Sequence, residues 1–324
     1  MSDTSPVADV SDTARWVAVY RAQESARPDA LFRDPLADRL AGEQGRAIVA
    51  SLPRRIRDGW WLVARTKIID DLIESAIAQG CDRVLNLAAG LDTRPYRLDL
   101  PAELIWVEAD LSALIAEKAR VLADQTPRCR LSRHAVDLAD PAARDAFLNE
   151  ALAGAQKAFV LTEGLLMYLT DSDVAGLSEA FRRPEIDWWT LDFTSAAMLR
   201  TMNGKTSGML QNAPFKFAPP NGLGFFENLG WTTVAVESVM AAAYRFHRLS
   251  PLMRLWARLP QPDPRRPGKK PWSAVACLTV AGQASIGSMA ARGTSTWTAP
   301  AASGSSVPWL KKKITPSLVI AKFW

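Results

Sequence analysis

Val84–Arg94 reads VLNLAAGLDTR, and this stretch decides the fold. Val84–Leu87 is an apolar run of strand length. The small residues Ala88, Ala89 and Gly90 make a tight turn, and a helix is predicted behind them, with Thr93 as N-cap and Pro95 in the first turn. In an open α/β sheet such a loop lies outside the carboxyl end of a strand, where ligands bind near the switch in strand order. Small side chains there let a ligand lie against the backbone. A dinucleotide pyrophosphate asks for G-x-G-x-x-G, and only Gly90 is present. Asp92 would also set a negative charge where phosphates should sit. A cofactor carrying an ammonium and a sulfonium tolerates that acid, so the electrostatics favour S-adenosyl-L-methionine over NAD.

Outward from the loop, strand-like runs fall at Arg83–Leu87, Leu104–Glu108, Arg130–Val136, Ala158–Thr162 and Trp188–Phe193. Helix-like runs alternate with them at Trp60–Gln79, Leu111–Ala123, Pro141–Ala153 and Asp171–Arg182. Gly80 ends the first of these at a C′ position. This alternation predicts an α/β fold with a mostly parallel sheet covered by helices on both faces. Residues 1–58 read as a cap of short helices, and 59–194 as the cofactor-binding core. Residues 195–280 read as a cover rich in Met and Phe (Met198, Met202, Met209, Phe215, Phe217), followed by strands at Trp231–Glu237 and Trp272–Val280 with a helix at Pro251–Leu259 between them. Residues 281–324 are rich in Ala, Gly, Ser and Thr, a composition expected to stay disordered. The run at 307–324 within it has two readings, a docking segment and a non-functional extension, and the second is preferred.

Four acids or glycines mark the tips of successive strands. Asp110, ending IWVEAD about 20 residues beyond the loop, suits ribose hydroxyls. Glu108 is its reserve, and a helix cap at Leu111 is the alternative role for Asp110. Asp137 suits an adenine amino group, with Leu138 giving backbone and apolar contact. Glu163 suits the cofactor's ammonium. Arg65 sits mid-stripe on the apolar face of Trp61, Ile68, Ile69, Leu72, Ile73 and Ala76, whereas Lys67 points away with Asp70 and Glu74 as solvated charges. A guanidinium on such a stripe needs an anion. The cofactor carboxylate and a structural pair with Asp92 or Glu163 both meet that need.

The ordered segments ARTKIID, VLNLAAGLDTRPYRL, WVEADL, HAVDL and TEGLLMYL resemble the leucine carboxyl methyltransferase family, in particular its bacterial branch of S-adenosyl-L-methionine-dependent (O-)methyltransferases. RAQESARPDALFRDPLA, residues 21–37, is similar as well, and the resemblance spans roughly 11–280. It implies a class I methyltransferase (Rossmann-like) fold, with seven strands of which the last two form an antiparallel pair. It also implies that Arg65, Gly90, Asp110, Asp137, Leu138 and Glu163 surround the cofactor. The family loop begins Gly-Ala-Gly, and here its first position is Ala88, for which reduced affinity is expected.

Composition removes other classes. The 39 bases exceed the 34 acids by five, yet five bases and no acid lie in 281–324, so the remainder balances and offers no field to steer nucleic acid. Three scattered cysteines and two histidines favour neither a disulfide framework nor a metal centre. An acid-bearing start and no apolar run of spanning length predict a cytoplasmic protein without a membrane partner. The partner expected is a small-molecule methyl acceptor. No histidine is placed to act as base, which favours a carboxylate or an acidic phenol over an ordinary hydroxyl. Arg21 and Tyr168 are the candidates for orienting it. An NAD oxidoreductase, a non-catalytic binder of the cofactor and a protein C-terminal carboxyl methyltransferase stay open as alternatives.

Overall fold

The computed structural model describes residues 10–52, 57–206 and 215–280. The predicted tail 281–324 and Met209 of the cover lie outside them. In chain order the elements are α1 (Val10–Ser25), α2 (Ala37–Ser51), α3 (Trp60–Ala78), β1 (Arg83–Leu87), α4 (Arg94–Arg97), β2 (Ile105–Asp110), α5 (Ser112–Val121), β3 (Arg130–Ala135), α6 (Pro141–Ala151), β4 (Ala158–Thr162), α7 (Asp171–Ala180), β5 (Ile186–Thr194), α8 (Ala196–Thr206), α9 (Gly224–Asn228), β6 (Trp231–Ser238), α10 (Val239–Arg245), α11 (Pro251–Ala257) and β7 (Ser273–Val280).

The strands form one sheet in the order β3-β2-β1-β4-β5-β7-β6. Strands β1 to β5 pair in parallel, and β7 inserts antiparallel to both β5 and β6. This is the class I methyltransferase arrangement. Side chains alternate between two cores. Leu85, Leu87, Val107, Val160 and Leu278 face α6 and α7 on one side. Val84, Trp106, Phe159, Leu161 and Cys277 face α3 and α10 on the other. Burial on both faces is why β1 and β4 do not alternate between buried and exposed positions: every residue of both is buried, Arg83 and Asn86 included. The order reverses between β1 and β4, so a crevice opens at their carboxyl ends.

Several expectations need correction. Of the span 11–55 read as short helices, the described residues up to 52 carry two helices of 16 and 15 residues, α1 and α2, the second kinked at Gly42. The helix behind the Val84–Arg94 loop is a single turn, α4. Helix α10, VMAAAYR, was not anticipated; it starts directly from β6 with Ser238 as its capping residue. Phe217 packs in the core beneath the sheet and is not part of a mobile cover. Asp70 is buried at 2% exposure and not solvated, because α3 is covered on two sides. The sheet lies under one face, and α4 brings Arg94 and Arg97 onto Asp70 on another.

Candidate functional site

The crevice is a cavity of about 290 Å³, walled by the carboxyl ends of β1, β2, β4 and β5 and roofed by α1, α3 and α8. Its floor is the quoted loop. Ala88 has φ +54° and Gly90 φ +51°, both left-handed, which turns the backbone back beneath the cavity. Glycine takes that conformation freely, and an alanine pays roughly 1 kcal/mol or more for it. A methyl built on Gly90 would meet Ala14 Cβ at 3.4 Å, ordinary contact, so Gly90 serves conformation more than space.

Asp110, at the tip of β2, accepts from Gly90 N and Leu111 N, both at 2.7 Å. It therefore ties the loop to its own strand, and Leu111, not Asp110, occupies the N-cap position of α5, without a side-chain cap. Burial pushes its carboxyl up, and the two backbone donors only partly offset this. Each of its oxygens retains accepting capacity toward the cavity that it lines.

Arg65 enters from α3 and spans two strand ends. Its Nε donates to Glu163 Oε1 at 3.0 Å and its Nη1 to Asp192 Oδ2 at 2.8 Å. Of the structural partners considered from sequence, Glu163 is present. Asp92 is instead held by Arg94, Nη1 to Oδ2 at 2.8 Å, and by Asn86 Nδ2 at 2.7 Å. Arg94 Nη1 also reaches Glu163 Oε2 at 2.8 Å, and its Nε reaches Asp70 at 2.7 Å. Arg97 is doubly bonded to Asp70 at 2.7 Å. At the far end Thr93 donates to Asp34, which also pairs with Arg21.

This network sits beneath the cavity and joins four arginines to five carboxylates. With Asp110 beside them, the acids outnumber the arginines by two. Burial disfavours the ionised acids, yet Arg94 and Arg65 hold Glu163 below the usual glutamate range, and Arg94 holds Asp92 far down. A site with surplus buried negative charge accommodates a cation and repels phosphates.

Not every expected residue is brought together. Arg65, Gly90, Asp110, Glu163, Arg21 and Tyr168 line the cavity, while Asp137 and Leu138 do not. Asp137 is exposed beyond β3 and accepts from Ala139 N at 2.9 Å, an Asx-turn role. Leu138 packs against the core. Arg21 is committed to Asp34 at 2.8 Å and to Leu91 O at 2.5 Å, so it pins α1 to the loop. Tyr168 stacks against Phe215 with centroids 5.2 Å apart, and burial pushes its phenol up. Five members of the site and its network escaped sequence reading: Asn86, Arg94, Asp192, Arg97 and Asp34. The signal for Asp192 was an acid inside the apolar strand run WWTLDF. For Arg94 it was the position itself, beside an acid in the loop.

Comparison with known proteins agrees with this architecture. The sequence profile of the leucine carboxyl methyltransferase family matches residues 14–181. A protein of Frankia alni, named "putative S-adenosyl-L-methionine-dependent methyltransferase", is 32% identical over 235 residues, covering 68% of this chain and 81% of its own. One of Streptomyces coelicolor with the same description is 38% identical, covering 50% of this chain and 60% of its own. A crystal structure of a DUF574 family protein from Streptomyces avermitilis overlays at TM-score 0.47 and 16% identity, over 81% of this chain and 96% of that one. The strand order, rather than that overlay, fixes the fold. With a profile match over half its length, the chain belongs to the leucine carboxyl methyltransferase family of S-adenosyl-L-methionine-dependent methyltransferases.

Proposed function

We propose that the chain methylates a small acidic acceptor, using S-adenosyl-L-methionine held in the β1–β4 crevice. The observation that carries this reading is the charge of the site: a buried surplus of carboxylates around one arginine that keeps a free edge. Among the described residues no acceptor is bonded to Arg65 Nη2. That edge suits a ligand carboxylate, Glu163 and Asp192 beside it suit an ammonium, and Asp110 suits ribose hydroxyls. The donor set thus fits a zwitterionic, net cationic adenosyl cofactor and not a pyrophosphate. Asp137 and Leu138, outside the cavity, would reach an adenine only after a rearrangement of the β3 end.

When bound, the cofactor supplies an electrophilic methyl group on a sulfonium sulfur. The chain's own part is to align an acceptor and keep water out. Trp16, Phe193, Met198, Met202 and Phe215 give the cavity an apolar wall for that purpose. Among the described residues no histidine or lysine lines it. Burial holds the proton on Tyr168, so its phenol is not a base, while Glu163 is too weakly basic beside two arginines to deprotonate a hydroxyl. An acceptor already ionised at working pH, a carboxylate or acidic phenol, needs no base.

Thermal-shift measurement with S-adenosyl-L-methionine, its demethylated product and NAD tests the cofactor half. Stabilisation by the first two and not by NAD is expected; stabilisation by NAD alone would overturn the reading. Screening carboxylate and phenol acceptors for methyl incorporation tests the other half. One observation favours a second reading, a binder that no longer catalyses: Ala88 puts a strained, methyl-bearing residue on the cavity floor. Cofactor binding with no turnover on any acceptor class would select it.

A further inference from the structure

We propose that α11 and the loop behind it dock on an anionic lipid surface. Four large apolar side chains are markedly exposed among the described residues, and three of them, Leu252, Leu255 and Leu259 at 49%, 63% and 54%, fall in eight consecutive positions. At 100° per residue Leu252 and Leu255 share one stripe of α11 with Trp256, about 100° wide, and Leu259 follows two residues beyond the end of the helix. No residue of α11 is buried.

The charge around this stripe is one-sided. From Leu249 to Trp272 the chain carries Arg254, Arg258, Arg265, Arg266, Lys269 and Lys270 against the single acid Asp263. Among the described residues only Arg265 of these meets a carboxylate, that of Glu227. Arg254 and Arg258 bond a carbonyl and a phenol, the Leu249 oxygen and Tyr244 Oη. The charges of Arg266, Lys269 and Lys270 have no acid partner among the described residues. An exposed leucine stripe beside uncompensated bases is the pattern of a helix lying in a lipid interface, with leucines among acyl chains and bases at anionic headgroups.

Other occupants fit the charge less well. Residues 281–324 bring five bases and no acid, so they would add like charge to this surface. A two-fold contact through it would set the basic loop of one copy against that of the other. A nucleic acid would satisfy the bases and leave three leucines in water. Surface association needs no spanning helix, and among the described residues none is long and apolar enough to cross a membrane. The same helix turns Met253 into the cavity wall, so a lipid surface on its outer side lies one helix diameter, about 10 Å, from the site.

The test is co-sedimentation of the full-length chain with vesicles of phosphatidylcholine alone and of equal parts phosphatidylcholine and phosphatidylglycerol. Binding to the anionic vesicles only, weakened by salt, is expected. Lys269→Gln with Lys270→Gln should weaken it about thirtyfold, the weight of two bases at an anionic surface. Leu252→Ser with Leu255→Ser should weaken it about tenfold or more. Both variants should keep the wild-type thermal shift with S-adenosyl-L-methionine, which shows that they fold. Equal binding to neutral vesicles, no binding to either, or anionic binding that both variants leave intact overturns the proposal. So does tighter binding of duplex DNA than of vesicles, or salt-sensitive self-association that the leucine variants abolish.

Discussion

Ala88 is where one side chain opposes its backbone. Its φ of +54° costs an alanine roughly 1–2 kcal/mol. Ala88→Gly removes that strain, at an entropic cost of about 0.4–1 kcal/mol from a freer unfolded chain. The balance favours glycine by about 0.5–1 kcal/mol, visible as a higher urea midpoint with an unchanged m-value. Removing the methyl also deepens the cavity floor, so tighter cofactor binding by calorimetry should accompany it; a loss of stability would show that the turn is not left-handed. Arg65 gives a second contrast. Arg65→Ala leaves Glu163 and Asp192 buried without their shared cation and should cost about 3–5 kcal/mol. It should abolish cofactor binding as well. Among the described residues Lys67 pairs with Asp71 alone, a half-exposed i,i+4 pair away from the cavity, so Lys67→Ala should change stability by about 0.5 kcal/mol or less and leave binding alone. Equal losses from the two changes would sink the assignment. Arg65 was legible because a guanidinium interrupts an apolar stripe. Its second partner was not, since Asp192 lies 127 positions away and only the β4–β5 pairing brings the two strand ends together.

Among the elements, α3 shows what periodicity can and cannot reveal. Its length was legible to within a residue, because Gly80 stops it and an apolar face runs along it. Asp70 was misread because a helical wheel assumes one wet face, and 11 of the 19 residues of α3 are buried. The strands were legible to within two residues; the central β1 and β4 are buried on both sides and read as compact runs between polar turns. Helix α10 hid because it follows β6 without a loop, and VMAAAYR reads equally as a strand continuing. The start of α3 is a sharper constraint than the sequence suggests. Gly59 is its N-cap at φ +57°, and a Cβ there would fall 2.2 Å from the Tyr20 ring, itself 1% exposed. Gly59→Ala must therefore displace Tyr20 and strain the backbone, at about 2–4 kcal/mol together. Chemical denaturation measures the loss. Adding Tyr20→Leu should return the packing share and not the backbone share; full recovery would mean that the left-handed turn is not required.

At the scale of the whole molecule, the buried network couples the fold to pH in one direction and the site in another. Asp92 and Glu163 are held below their ordinary ranges by Arg94 and Arg65, in spite of burial. In the unfolded chain such groups titrate near about pH 4. Their stabilisation is fully present above that value, and it is lost as pH falls through the lower folded values, because the unfolded state then binds more protons. Stability should thus stay level from neutrality down to about pH 5 and then decline. Asp110 behaves oppositely: burial raises it, so its ionised form, the one suited in the proposed reading to accept ribose hydroxyls, is surrendered at a higher pH than those of Asp92 and Glu163. Cofactor affinity should consequently fall on acidification while the protein is still folded. Calorimetric titration with S-adenosyl-L-methionine across this range, beside circular dichroism on the same samples, separates the two events. Asp110→Asn should weaken binding at neutral pH and remove that early loss while leaving acid unfolding nearly unchanged. Glu163→Gln should lower stability at neutral pH and flatten its decline below about pH 4, because one of the protons taken up on unfolding is gone. Binding and unfolding that move together through acid, in wild type and in Asp110→Asn alike, would mean that the cavity and the network beneath it titrate as a single unit.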